Sequence, residues 1–259
     1  MRTLLISLLS VSLLTFALVA PAGAAPLAVN YVALGDSYAS GTGAGSYGDS
    51  GSCLRSANAY APLWASSHGA TLSFVACSGA ETADVLNGQV NALSAATNLV
   101  TISIGGNDAG FSDVVITCTT GSDSTCVNRV NQARAFAQTT LPGRLDAVYS
   151  AIRSRAPSAR VVVLGYPRLF SAGFCWWFST TKRNAVNGAA NELSTIIAAR
   201  AAAAGFTYED TRDNFAGHEV CTSAQWINGI NLGNLVESYH PNASGHSRAY
   251  LPALNGVTG

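Results

Sequence analysis

Residues 31–45 read YVALGDSYASGTGAG, and the rest of the chain is organised around this stretch. It begins with four apolar residues, breaks at Gly35, and presents Asp36 and Ser37 before a run of small residues. This order is typical of a strand that ends in a sharp turn carrying a serine. Ligands bind at the C-terminal ends of strands in open parallel sheets. A serine there can act as a nucleophile if a base reaches it, although Gly, Asp and Ser are also ordinary turn residues.

Short apolar runs alternate with helical patterns along the chain. The runs that read as buried parallel strands lie at 30–34, 71–76, 99–104, 160–165 and 206–209. Apolar residues at helical spacing occur at 145–152 and 186–197. Thr140 and Pro142 predict the start of the first of these helices, and Gly205 predicts the end of the second. The alternation predicts an α/β fold with right-handed crossovers.

The first 25 residues have the pattern of a secretory signal peptide. An N-terminal arginine precedes a nearly unbroken apolar run at 4–19, followed by a proline and the small residues 22–24. The run is shorter than the 18 or more residues that a membrane span usually needs, and the small residues favour cleavage. We therefore expect that residues 1–25 are removed, that the protein is secreted, and that residues 26–259 form a single domain.

The charge balance excludes two classes of function. The chain has 14 basic and 14 acidic residues, so its formal net charge is zero. Binding to nucleic acid requires a basic patch, and binding to an anionic membrane requires a polybasic segment. Neither is present in the sequence, and no nucleic-acid partner is expected.

Six cysteines in an exported chain suggest three disulfides. Six cysteines allow 15 pairings, and the sequence does not choose among them. Pairing in sequence order closes the shortest loops: Cys53–Cys77, Cys118–Cys126 and Cys175–Cys221. A metal site is not expected, because no C-x₂-C or H-x₃-H spacing occurs. The segment 118–126 is expected to be a polar loop that a disulfide would fix.

Residues that could take part in catalysis follow three of the predicted strands or lie near the C-terminus. Asn107, after the strand at 99–104, carries an amide that can donate to an oxyanion. Gly79 precedes a predicted helix start, where backbone N–H groups lack partners. His240, before a proline, could serve as a base. Each signal alone is as well explained by a turn or by a structural role.

Together, these blocks resemble the SGNH hydrolases, also called the GDSL family, and most closely the secreted lipases, esterases and phospholipases of actinomycete bacteria. The matching residues are Ser37 in GDSYASGTG, Gly79 in CSGAET, Asn107 in GGNDAGF and His240 in SYHPNASGH. The resemblance extends from about residue 31 to the end of the chain. It implies a flavodoxin-like three-layer fold with a five-stranded parallel sheet in the order 2-1-3-4-5.

The resemblance also implies the role of each matched residue. Ser37 would be the nucleophile and His240 its general base. The N–H groups of Ser37 and Gly79 and the side chain of Asn107 would form the oxyanion hole. This is serine acyl transfer, which needs no metal and no cofactor.

One position departs from the family pattern. The family usually has Asp three residues before the histidine, where this chain has Glu237. Either Glu237 acts as a longer third member of a triad, or a backbone carbonyl, that of Ser238 or of Glu237, orients His240. The sequence leaves both alternatives open.

The predicted function is that of a secreted serine ester hydrolase, a lipase or phospholipase A1, acting as a monomer on a small-molecule or lipid ester. Several aromatic residues either pack in the core or line an apolar groove for the acyl chain: Phe111, Phe170, Phe174, Trp176, Trp177 and Phe178. The alternatives are a carbohydrate acetylesterase on the same fold and a secreted binding module without catalysis. Intact Ser37, Asn107 and His240 argue against the binding module.

Overall fold

The sheet contains five parallel strands in the order β2-β1-β3-β4-β5, as predicted. The computed structural model describes residues 28–259, so the predicted leader lies outside the described residues. The strands are β1 (Asn30–Gly35), β2 (Thr71–Phe74), β3 (Leu99–Ser103), β4 (Arg160–Leu164) and β5 (Thr207–Glu209). Each lies within one residue or two of its predicted bounds. The apolar signal is strongest in β1, β3 and β4, which are buried almost throughout, whereas the edge strands β2 and β5 are only partly buried.

The end of β1 shows why the chain turns there. Gly35 pairs with Ser103 on β3, and the Asp36 N–H donates to the Ser103 carbonyl at 2.9 Å. Gly35 has φ +121°, and a Cβ at this position would lie 2.3 Å from the Ser103 carbonyl oxygen. Only glycine fits this close approach, so the GDS turn is built into the sheet.

Nine α-helices connect and cover the strands in the described part of the chain. They are α1 (Ser37–Ser40), α2 (Tyr60–His68), α3 (Thr82–Asn87), α4 (Phe111–Thr120), α5 (Asp123–Thr139), α6 (Leu141–Arg155), α7 (Thr180–Ala203), α8 (Ala243–Gly245) and α9 (Leu251–Thr258). Helix α6 begins directly after Thr140, with Pro142 in its first turn, as predicted. Helix α7 ends just before Gly205, which has φ +68°. Within residues 28–259, no helix combines the length and the apolar character needed to cross a bilayer.

The helices form a layer on each side of the sheet. Helices α2 and α9 pack together, and α3, α6 and α7 pack in a second group. Tyr31 on β1 makes an edge-on ring contact with Trp64 of α2, and Tyr149 of α6 makes one with Phe206 beside β5. These aromatic contacts lie in the buried core, and the whole is the predicted three-layer fold.

The prediction of a polar loop at 118–126 is wrong. The structure is helical through most of this segment, and only residues 121–122 separate α4 from α5. The Ser122 side chain accepts the Thr125 N–H and caps α5, so residues that favour loops act here as a helix start. The three disulfides join cysteines in sequence order, and Cys118–Cys126 links the last turn of α4 to the first turn of α5.

Candidate active site

Ser37 is the first residue of α1, directly after the end of β1. The Asp36 side chain caps this helix by accepting the Tyr38 N–H at 3.0 Å. The Ser37 N–H therefore lies in the first turn, where helices leave donors unpaired, and no acceptor for it lies among residues 28–259. The local sequence thus presents both a hydroxyl and a free N–H at the C-terminal edge of the sheet.

His240 lies against Ser37, although 203 positions separate the two residues in the sequence. The imidazole Nε2 is 2.8 Å from the Ser37 Oγ, and Nδ1 is 3.0 Å from the Ser238 carbonyl oxygen. A carbonyl oxygen can only accept, so Nδ1 carries the proton and Nε2 is free to accept from the serine. Serine and histidine therefore have the geometry that proton transfer between them requires.

The backbone around His240 is held on several sides. Tyr239 has φ +63°, an uncommon conformation for a non-glycine residue, and its carbonyl accepts the Tyr38 hydroxyl at 2.7 Å. Gly43 packs against the histidine, and a Cβ on Gly43 would lie 2.9 Å from the His240 Cβ. These contacts fix the position of the imidazole relative to Ser37.

The Glu237 carboxylate points elsewhere. It accepts the Tyr47 hydroxyl at 2.7 Å and the Asn231 Nδ2 at 3.1 Å. Of the acceptors that the sequence left open for His240, the structure has the Ser238 carbonyl in contact and does not bring the Glu237 side chain to the ring. Glu237 instead joins the loop around Tyr47 to the loop before the histidine.

Gly79 and Asn107 lie in the same groove as Ser37. Both line a surface groove of about 370 Å³, here called the outer groove, that also contains Ser37 and His240. The Asn107 Nδ2 donates to the Ala80 carbonyl at 3.0 Å, so the amide is fixed beside the Gly79 loop. The structure thus brings together the four residues that the sequence blocks singled out.

Comparison with known proteins places this geometry in a family. The model of the GDSL-like lipase/acylhydrolase family matches residues 33–248. The chain belongs to this family. It is 53% identical to Lipase 1 of Streptomyces coelicolor over 247 residues, which cover 94% of this chain and 92% of that lipase.

Two solved structures are also similar to this chain. Phospholipase A1 from Streptomyces albidoflavus NA297 is 51% identical, with a TM-score of 0.87 over 88% of this chain and 99% of that one. The extracellular lipase from Streptomyces rimosus is also 51% identical, with a TM-score of 0.87 over 89% of this chain and 100% of that one. By family, this chain is therefore an ester hydrolase.

Asp108 is a residue of this GDSL-family site that sequence reasoning missed. Its carboxylate accepts the Thr82 N–H at 2.9 Å, the Thr82 hydroxyl at 2.6 Å and the Arg144 guanidinium at 2.9 Å. It thereby joins the loop that carries Asn107 to the start of α3, three residues after Gly79. Its place next to Asn107 in GGND was the only signal in the sequence.

Tyr166, after β4, makes a second connection that the sequence did not indicate. Its hydroxyl donates to the buried Asp36 carboxyl and accepts the Gly106 N–H at 3.1 Å. The turn before Ser37 and the turn before Asn107 are therefore hydrogen-bonded to the same side chain. The only signal for Tyr166 was its position at the end of a predicted strand.

Burial changes the titration of two groups at the site. Desolvation lowers the pKa of His240 to about 4, and the hydrogen bond to the Ser238 carbonyl opposes this shift. The imidazole is therefore neutral and able to accept a proton at pH 7. Desolvation raises the pKa of Asp36 to about 7, against the hydrogen bonds from Tyr166 and the Tyr38 N–H.

The aromatic residues divide between core and surface. Phe111 lines the outer groove and makes edge-on contacts with Tyr38 and His240. Phe170 and Phe178 stack on each other in the core, with ring centroids 4.2 Å apart, and Trp177 packs beside them. Phe174 and Trp176 are 86% and 83% exposed. Core packing therefore accounts for three of the aromatics after β4, and Phe111 alone of the six lines the outer groove.

Proposed function

We propose that this GDSL-family hydrolase cleaves acyl esters of lipids, with Ser37 as nucleophile and His240 as general base. The observation that carries the proposal is the 2.8 Å contact between the His240 Nε2 and the Ser37 Oγ. Similarity to proteins named lipase and phospholipase A1, over most of both chains, supports the lipid substrate.

In the first half of the reaction, His240 takes the Ser37 proton as Oγ attacks the ester carbonyl carbon. The tetrahedral intermediate collapses when His240 gives this proton to the leaving alkoxide, which departs as the alcohol. Water then attacks the acyl-enzyme, again with His240 as base, and the fatty acid is released while Ser37 recovers its proton. Each half-reaction leaves His240 neutral.

The negative charge on the carbonyl oxygen is stabilised by three donors. These are the N–H groups of Ser37 and Gly79 and the side-chain amide of Asn107. The Ser37 N–H belongs to the unpaired first turn of α1, and the Asn107 amide is fixed by its bond to Ala80. Donors held in place before the reaction stabilise the oxyanion without reorganisation at the moment of attack.

The Ser238 carbonyl is the orienting acceptor in this proposal. It holds the tautomer with the proton on Nδ1, which a carboxylate would do in a complete triad. An uncharged acceptor stabilises the imidazolium less than a carboxylate does, and no carboxylate offsets the burial that lowers the pKa of His240.

The outer groove supports a lipid rather than a charged substrate. Its lining contains no Asp, Glu, Lys or Arg, and the aliphatic side chains of Ile116, Leu235 and Val236 are more than half exposed at its rim. Exposed apolar patches of this kind are typical of surfaces that bind apolar ligands or interfaces. An acetylated sugar would leave these side chains in water.

Hydrolysis of a phosphatidylcholine with two different acyl chains tests this function. We expect a free fatty acid and a lysophospholipid from the wild type and neither from Ser37→Ala. The identity of the released chain gives the positional preference. Hydrolysis of p-nitrophenyl acetate without any action on phosphatidylcholine or on long-chain esters would favour the acetylesterase alternative.

We further propose that residues 1–25 direct export and are removed, and that the mature enzyme acts extracellularly as a monomer at a lipid interface. Three disulfides among residues 28–259 support an oxidising compartment. Mass spectrometry of the protein from culture medium and its elution in size-exclusion chromatography test these points. A chain retained in the cell with its leader, or a dimer, would contradict them.

A further inference from the structure

A second cavity meets the outer groove at Ser37. This inner cavity, of about 90 Å³, lies between the sheet edge and helices α4, α5 and α7. Its apolar wall includes Val114, Ala133, Ala137, Leu169, Val186 and Leu193. Four residues belong to both cavities: Ser37, Asn107, Phe111 and Val115. Phe111 and Val115, one turn apart on α4, therefore form the partition between them.

The two cavities differ in their walls. Most residues around the inner cavity are buried, whereas the outer groove has an exposed rim. The charged side chains that line the inner cavity already have partners, since Asp36 accepts from Tyr166 and Arg134 is paired with Glu192. What remains free in the inner cavity is apolar surface, which suits a hydrocarbon chain.

The position of His240 indicates which part of the ester lies in each cavity. His240 lines the outer groove and does not line the inner cavity. In the proposed reaction, His240 must protonate the leaving alkoxide, so this oxygen must lie on its side of the tetrahedral carbon. The oxyanion faces Gly79 and Asn107, and Ser37 occupies a third position. The acyl substituent must take the fourth, which faces away from His240.

We propose that the inner cavity binds the hydrocarbon chain of the acyl group that is transferred to Ser37, and that the outer groove binds the alcohol part of the ester. This assignment rests on the function proposed above. In a phospholipid, the alcohol part is the lysophospholipid with its second chain. It leaves through the groove with the exposed rim, while the first chain stays in the inner cavity until water releases it from Ser37.

Two ester series separate the two cavities. In the first, p-nitrophenyl acetate is compared with p-nitrophenyl octanoate, so that only the acyl chain varies. In the second, ethyl acetate is compared with octyl acetate, so that only the alcohol varies. The measured quantity is the ratio of kcat/KM for the long ester to that for the short ester, which removes effects on the chemistry common to both.

Ala137→Leu narrows the inner cavity, and Ala135→Leu is the matched control, because Ala135 is exposed on the same helix α5. The double variant Leu235→Ser/Val236→Ser changes the outer groove. Leu232→Ser is its control, since Leu232 is 86% exposed and lines neither cavity. Thermal unfolding shows whether each variant folds, and Ala133→Val replaces Ala137→Leu if the latter does not.

We expect Ala137→Leu to lower the octanoate-to-acetate ratio about tenfold or more and to leave the octyl-to-ethyl ratio within twofold. The groove variant should do the reverse, lowering only the octyl-to-ethyl ratio, by roughly threefold, because its side chains are partly exposed. A folded Ala137→Leu protein that changes only the alcohol series, or neither series, would overturn the assignment while the esterase function stands. A wild type that hydrolyses no ester in either series would instead remove the proposed function.

Discussion

At the scale of single residues, the site depends on an imidazole between a serine hydroxyl and a backbone carbonyl. The Ser238 carbonyl is fixed by the chain itself, so the orientation of His240 does not depend on the charge of a third side chain. The carboxylate nearest in sequence, on Glu237, is bound by Tyr47 and Asn231. These contacts indicate a structural role for Glu237, and mutation can distinguish this role from a catalytic one.

Glu237→Gln is expected to lower kcat by less than tenfold, because the variant keeps an acceptor for Tyr47 and leaves the Ser238 carbonyl in place. Loss of a true triad acid lowers kcat by about 10⁴. Asn107→Ala, measured in the same assay, should lower kcat by about 10²–10³, as expected for a lost oxyanion donor. A Glu237→Gln loss near 10⁴ would mean that the carboxylate orients His240 during catalysis.

The pH profile of kcat/KM gives a second test at this scale. His240 must be neutral to accept the serine proton, and burial lowers its pKa from 6.5 to about 4. The limb of the profile that belongs to His240 should therefore lie near pH 4, well below 6.5. Asp36 also titrates at the site, with a pKa of about 7, so the His240 limb is measured in Asp36→Asn. In Asp36→Asn, a decline centred at pH 6.5, reversible and without unfolding, would contradict this account.

At the scale of elements, the site is assembled from the turns that follow β1, β2 and β3 and from the loop before α8. Two side chains join these turns: Asp108 connects the Asn107 turn to α3, and Tyr166 connects it to the GDS turn. We infer that both are positioning residues, which act on the reaction through the groups they hold.

Asp108→Asn is expected to lower kcat about ten- to a hundredfold with little change in KM. In the variant, an amide N–H₂ group replaces one carboxylate oxygen and faces the donors of Thr82 or Arg144, so hydrogen bonds there are lost. A buried donor left without an acceptor costs about 1–3 kcal/mol. Asp113→Asn is the matched control on α4, because the Asp113 side chain is exposed and its ion pair with Arg129 is long, at 3.7 Å. Equal effects of the two variants, or a rise in KM alone for Asp108→Asn, would exclude the positioning role.

The elements also show which parts of the fold could be predicted from sequence. All five strands were predicted from short runs rich in apolar residues, and this signature is clearest in β1, β3 and β4, which are buried almost throughout. The junction of α4 and α5 was not, because Ser, Thr, Asp and Gly serve both as loop residues and as helix caps. The choice between these roles depends on the packing of the two helices, which no short window of sequence contains.

The same distinction applies to the site. Ser37, Gly79, Asn107 and His240 lie in recognisable blocks, and the family resemblance indicated all four. The contact of His240 with the Ser238 carbonyl and the contacts of Asp108 and Tyr166 depend on side-chain directions, and those of Asp108 and Tyr166 also join residues far apart in sequence. The local sequence does not distinguish Ser238, Asp108 and Tyr166 from ordinary turn or strand-end residues.

At the scale of the whole molecule, a second buried histidine affects stability. His246 is completely buried between the rings of Tyr60 and Tyr250, and its Nε2 has no hydrogen-bond partner among the described residues. Desolvation lowers its pKa to about 3, with a smaller contribution from His240. Below pH 6.5, the unfolded chain binds a proton at this position that the folded protein does not, so acid favours unfolding.

His246→Phe should therefore reduce the acid sensitivity of the fold. The measured quantity is the free energy of unfolding of the variant minus that of the wild type. This difference should be about 2 kcal/mol larger at pH 5 than at pH 8. Comparing the two proteins at the same pH cancels the contributions of His240 and Asp36. Urea unfolding at both pH values measures the change, and a difference that is the same at pH 8 and pH 5 would show that His246 does not titrate in this range.

The most direct test of the central claim is the rate at which a fluorophosphonate labels Ser37, followed by peptide mass spectrometry. The claim is that His240 activates Ser37 across their 2.8 Å contact. We predict one label per chain, located on Ser37, and a labelling rate that falls by about 10³-fold or more in His240→Ala. A label on a different serine, or a Ser37 labelling rate unchanged by His240→Ala, would contradict the account.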